Sequence, residues 1–258
     1  MFFRPWMFAA LLPVGLAVWG TGRDISKYRI ALKTEQVVDL SGLGQQEQRQ
    51  GGELTAFLNV TLTDTAGGSV MQVMVDSLQA DTALSIPAPL QDSARGASWH
   101  ALVAPGGRIS GLTRVHSTPL SGIFEGFLRR FLPPVARGRK AGDAWTDTFD
   151  TTEDIPDGLL NIRTVTNYLA GTETFAGAKA LRVVAASSSA MTGQQQTTSG
   201  QTNIEGTGSA DITYYLGPDG RYLGGISKQV QNLKVSGSFA PQPVPITVTS
   251  EISVTLLR

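Results

Sequence analysis

The stretch Val244 to Leu256, VPITVTSEISVTL, decides the fold. Val244, Ile246, Val248, Ile252, Val254 and Leu256 stand at even positions, interleaved with Thr247, Thr249, Glu251, Ser253 and Thr255. Side chains alternate faces along a strand, so this spacing builds one buried face and one wet face, the signature of an antiparallel sheet. The same period runs through Tyr28, Ile30 and Leu32 and through Leu54, Ala56, Leu58, Val60 and Leu62. Further segments at Val70 to Leu78, Trp99 to Val103, Ile109 to Val115, Leu160 to Leu169, Ala180 to Ala186, Ile212 to Leu216 and Ser227 to Val235 bring the expectation to about ten strands. Asp64 to Gly68, Pro105-Gly106-Gly107 and Gly217-Pro218-Asp219-Gly220 supply reversals, because Gly tolerates positive φ and Pro presets φ. The polar run Ser187 to Gly208 reads either as a loop or as two long strand ends joined by a hairpin.

Composition narrows the partners. Acidic and basic residues balance at 21 each, so no global field attracts nucleic acid. Cysteine is absent, which removes disulfides, thiolate metal sites, a cysteine nucleophile and the lipidated Cys of a bacterial lipoprotein. Two histidines, His100 and His116, are too few for a multi-histidine metal centre.

Residues 1–22 read as a signal peptide or N-terminal anchor. Arg4 precedes an uncharged apolar run from Pro5 to Gly20, about 16 residues long, against the ~20 that span a bilayer as a helix. The expected destination is export, periplasmic or extracellular, with membrane contact only through this segment if it is not removed. Residues 23–258 are expected to form one antiparallel β domain.

One segment breaks the two-residue period. Leu120, Ile123, Phe124, Phe127, Leu128, Phe131 and Leu132 recur at helical spacing between Pro119 and Pro133-Pro134, which predicts an amphipathic helix over about 119–132. Gly122 and Gly126 each lower its propensity by about 1 kcal/mol relative to Ala, so burial of the aromatic face must hold it. The concave side of the sheet is the expected receptor. Leu120, Ile123, Phe124, Phe127, Leu128 and Phe131 are therefore the candidate ligand-binding residues, if a cleft remains between helix and sheet, and ordinary core if it does not.

No nucleophile elbow, phosphate-binding loop or dinucleotide fingerprint occurs. The acidic run Asp143, Asp147, Asp150, Glu153, Asp154 and Asp157 lacks the spacing of a calcium loop. Arg129, Arg130, Arg137, Arg139 and Lys140 surround the predicted helix end, where cations face lipid phosphates or favour the helix dipole. No catalytic residue, metal ligand or cofactor is assigned, and the expectation is a protein that is not an enzyme.

An apparent signal peptide, a long antiparallel meander and one Phe-rich helical insertion together resemble the LolA/LolB/LppX-like envelope proteins. Lys140-Ala141-Gly142-Asp143-Ala144-Trp145 is similar to a G-D-x-W element of exported bacterial β proteins. The resemblance implies a half-barrel sheet wrapping lipid or acyl chains under a helical lid, and no catalytic residues. The missing lipobox Cys departs from the lipoprotein members. The expected protein is mainly β, a large curved antiparallel sheet in a half-barrel or open barrel with one amphipathic helix on its concave face. Two uses are expected: a hydrophobic or lipid-like ligand held between sheet and helix, or an envelope protein partner bound along a strand edge.

Overall fold

Alternation turns into pairing across the whole chain. The computed structural model describes residues 25–257 apart from 85, 137, 156, 198–199 and 238–239, so the segment read as an export signal at 1–22 lies outside the described residues. The strands are β1 (Ser26–Val38), β2 (Gln48–Thr65), β3 (Gly68–Ala80), β4 (Ser98–Val103), β5 (Ile109–His116), β6 (Ala144–Ile155), β7 (Gly158–Phe175), β8 (Ala178–Thr197), β9 (Gly200–Leu216), β10 (Tyr222–Gly237) and β11 (Ala240–Leu257). Among the described residues two α-helices interrupt them, α1 (Ala88–Asp92) and α2 (Ser121–Leu128).

All eleven strands form one antiparallel sheet in the order β5-β4-β3-β2-β1-β11-β10-β9-β8-β7-β6, not closed into a barrel. Each half of the chain is a meander, and the two join where β1 pairs with β11. The stretch Val244 to Leu256 thus occupies the middle of the sheet. The run Ser187 to Gly208 takes the hairpin form, with Gln196 opposite Gln201 and Thr197 opposite Gly200. A Ser/Thr/Gln-rich strand needs no apolar face if its backbone groups are paired on both sides, as those of β8 and β9 are.

Cross-strand register fixes which side chains share the concave face. Tyr168, Ala185, Ile212, Ser227, Ile252, Leu32 and Leu54 form one row from β7 to β2. Its members are buried or half-buried, while the flanking charged residues point outward. On the convex face Asp211, Lys228, Glu251, Lys33 and Glu53 are successive cross-strand neighbours. Lys228 lies 3.6 Å from Glu251 and Lys33 lies 3.1 Å from Glu53.

The connection from β5 to β6 crosses from one sheet edge to the other and carries α2. The helix is shorter than the 119–132 expected from the spacing. After Leu128 the chain tightens into single turns, with Arg130 N–H donating to Phe127 O at 3.0 Å and Phe131 N–H to Leu128 O at 3.3 Å. Pro133 and Pro134 cannot donate and forbid continuation. Phe131 and Leu132 are still buried, at 1% and 7% exposure. Gly107, at φ 80°, lets the β4–β5 turn press against the Pro133 carbonyl, where a Cβ would have no room. Arg108 in that turn lies 5.1 Å over the Phe149 ring of β6, so the two sheet edges approach each other across the crossing segment.

Candidate functional site: a half-covered trough

The concave face is a trough, and α2 fills one end of it. Leu120, Phe124, Leu128 and Phe131 are buried in one core cluster with Leu58, Val75, Trp99 and Tyr28, with Phe124 on Trp99 and Phe131 on Tyr28. Phe127 is partly buried beside Phe131, and Ile123 is 45% exposed. The six residues predicted from helical spacing therefore divide. Four fill the space between helix and sheet, Phe127 packs on the rim of that cluster, and Ile123 faces solvent.

Polar contacts hold the helix in place. Ser121 Oγ accepts the Thr118 N–H at 2.8 Å and so ties the entering chain to the start of the helix. Glu125 accepts Trp99 Nε1–H at 3.1 Å and Arg114 Nε–H at 2.7 Å, tying α2 to β4 and β5. Burial by itself would raise the Glu125 carboxyl pKa. The hydrogen bonds from Trp99 and Arg114 and the charges of Arg114 and Arg129 outweigh it and hold the pKa below the usual carboxylate value.

Around this seat runs an aromatic belt. Phe131 meets the edge of Tyr28 at 5.1 Å and of Tyr222 at 5.9 Å, and Tyr222 meets Tyr214 at 6.3 Å. Tyr28 donates its hydroxyl to the Tyr222 carbonyl at 2.8 Å. Burial pushes the Tyr28 and Tyr168 phenols up to about 12 and those of Tyr214 and Tyr222 further in the same direction. Trp145 stacks on Tyr168 at 4.8 Å, and Arg139 caps the Trp145 ring at 4.3 Å. These rings are committed to one another, and edge-to-face pairs of this kind add about 0.5–1.5 kcal/mol each beyond area burial.

Beyond the belt the same strands continue without a helix on them. First comes a band of neutral hydroxyls and amides, in which Thr166 Oγ1 and Ser187 Oγ lie 2.8 Å apart. Past it lies a second apolar group, with Ile162 opposite Met191, Met191 opposite Gly206, Gly206 opposite Leu233 and Leu233 opposite Ile246. Ile162 and Met191 are buried at 8% and 3%, whereas Ile204, Leu233, Val235 and Ile246 are half-exposed. Gly206 has a specific use here: Leu233 lies across it, and a Cβ would come within 2.6 Å of the Leu233 side chain and of the Asn232 carbonyl. An open depression of about 390 Å³, lined by Gln36, Val38, Gln48, Arg49 and Gln50, continues the trough on β1 and β2.

Of the remaining residues singled out from the sequence, Asp147 faces inward beside Thr166 at the β6 edge of the trough and Arg139 covers Trp145 there. His100 and His116 are exposed on β4 and β5. Asp143 accepts the Lys140 N–H at 3.0 Å, and along β6 Asp147 and Asp150 fall on opposite faces. Among the described residues no three His, Cys, Asp or Glu side chains converge as metal ligands. Arg139 is used on Trp145, Arg129 is exposed, and Arg137 lies outside the described residues. Neither Glu125 nor the polar inward residues of β8 to β10 stand out in the sequence as site residues. The first is visible only when Trp99 and Arg114 are brought beside it; the second were signalled by the parity of the strands.

Fold and site together define an open, strongly curved antiparallel sheet with one end of its trough plugged by a helix. No protein-family model and no curated protein matches the chain. A solved structure titled "Asymmetric conductivity of engineered proteins" aligns with 91% of this chain and 100% of its own at 10% identity, with a TM-score of 0.29, too low to carry an argument. Among the described residues no helix is long and apolar enough to cross a membrane.

Proposed function

We propose that this chain is a non-enzymatic, exported cell-envelope protein that holds a lipid-like or other hydrophobic ligand on the concave face of its sheet. The observation supporting this reading is the half-covered trough. One end is sealed by Phe124, Leu128 and Phe131, while Leu233, Val235 and Ile246 face the open remainder half-exposed. A sheet face with half-exposed apolar side chains and no covering layer is a binding surface for apolar matter. In this reading α2 is a fixed end wall, and the ligand lies beside it. Export is supported by the apolar run Pro5 to Gly20.

The test is native mass spectrometry with lipid extraction on protein purified from the producing cell, wild type against Leu233→Asp. Stoichiometric lipid in the wild type, lost from a still-folded variant, supports the reading; bare wild-type protein overturns it. Phe124→Asp cannot serve, because Phe124 is 3% exposed and its replacement tests the core instead. A second reading, a protein-interaction module, is favoured by β6, a twelve-residue edge strand bonded on one side only. Such an edge accepts a further strand, and a pull-down lost on Thr148→Pro would support it.

A further inference from the structure

Charge is partitioned between the two faces of the sheet. Across the seven adjacent strands from β7 to β2, the inward positions from the Ala170–Val183 row to the Leu160–Gly193 row hold no Asp, Glu, Lys, Arg or His. The outward positions of the same strands carry Arg163, Lys228, Lys234, Glu251, Lys33 and Glu53. The nearest described inward acid is Asp147, on the edge strand β6. The trough is not simply apolar, however: its middle band presents Ser187, Gln229, Gln231, Ser250 and Thr34, which are neutral and able to hydrogen-bond, while Thr166 beneath them is buried and bonded to Ser187.

From β8 to β2 an anionic head group meets no inward cation of these strands, since Arg108 and Arg139 lie out at the β6 edge over Phe149 and Trp145 and Arg130 acts on Tyr214 at the covered end. An unpaired charge taken out of water is costly. A neutral head rich in hydroxyls meets hydroxyls and amides that both donate and accept. We infer that the trough selects an uncharged amphiphile: a glycosyl diacylglycerol type of lipid, its sugar on the band of Ser187, Gln229, Gln231 and Ser250 and its chains along Leu233 and Ile246. This inference rests on the ligand-holding reading above and adds the head-group chemistry to it.

The experiment offers the protein, as purified from the producing cell and stripped of lipid, two probes in otherwise identical phosphatidylcholine vesicles. These are monogalactosyl dioleoylglycerol and dioleoyl phosphatidylglycerol, and lipid co-eluting with the protein is quantified. The expected result is at least about tenfold preference for the galactolipid, reversed by Gln229→Lys on the inward face and untouched by Val230→Lys on the outward face. Ser250→Lys repeats the reversal if Gln229→Lys fails to fold by circular dichroism. Equal uptake of both probes overturns the inference and leaves the ligand-holding reading standing. Uptake of neither overturns both.

Discussion

The covered and uncovered ends of the trough are made by the same strands, yet they are stabilised by different means. At the covered end β1, β2 and β10 present Tyr28, Leu58 and Tyr222 to α2, and the apolar area removed from water is large. At the uncovered end β8 to β10 present Ser, Gln and Gly around the smaller apolar group of Met191 and Leu233, and order rests more on backbone ladders between long neighbours, such as the β8–β9 register from Leu181 to Thr197. The lesson is that strand pairing can extend a sheet well past its hydrophobic core, provided both edges of each extended strand are bonded. The freed face is then available for something other than folding.

Substitutions should separate the two ends. Phe131→Ala removes a ring that touches Tyr28, Tyr222 and Phe127 and is expected to destabilise by about 3–5 kcal/mol in chemical denaturation. Leu233→Ala, half-exposed at the other end, should cost about 1 kcal/mol or less. Equal losses would mean that both ends are held by side-chain packing. Next in size is Gly206→Val. The new side chain collides with Leu233 and the Asn232 carbonyl, so a loss of about 1–3 kcal/mol is expected, with hydrogen exchange accelerated in β9 and β10 but not beneath α2.

Glu125→Gln sharpens the account of how the helix is seated. It weakens the bonds to Trp99 and Arg114; because Arg114 is 41% exposed, the loss is discounted to about 1 kcal/mol. The folded carboxyl titrates below its ordinary 4.5. Its contribution is therefore present above that pH and lost as pH falls through the lower folded value. Thermal unfolding followed down the acid range should show a shallower slope in the variant than in the wild type. Smallest of all is the convex ladder: Lys228→Glu places like charges beside Asp211 and Glu251. The resulting fall in melting temperature should be slight and should vanish in about 1 M salt, where the screening length is about 3 Å.

How far the sequence spoke for itself varied with the range of the interaction. The alternation at Val244 to Leu256 identified a strand with one wet face, because that is a property of neighbouring residues. That this strand sits beside β1 in the middle of the sheet is a long-range fact, set by Lys27 facing Leu257. The helical spacing of Leu120 to Leu132 was legible, and so were the prolines that stop it. Which of its residues fill the trough depended on where Trp99 and Tyr28 lie, and no local pattern encodes that. The neutral band was hidden in plain composition: Ser187, Gln229 and Ser250 look like ordinary polar strand residues until register places them on the inward side.

The pairing of β1 with β11 has a temporal meaning. Tyr28 and Ile30 find Leu256 and Val254 only across more than two hundred intervening residues, so the central ladder belongs to the slow, high-contact-order class of events. The two meanders can each form from local hairpins, but the seam between them, on which the Tyr28 and Phe131 cluster depends, must close late. A chain built this way remains unfinished until β11 arrives, and its exposure to aggregation is governed by that one late event.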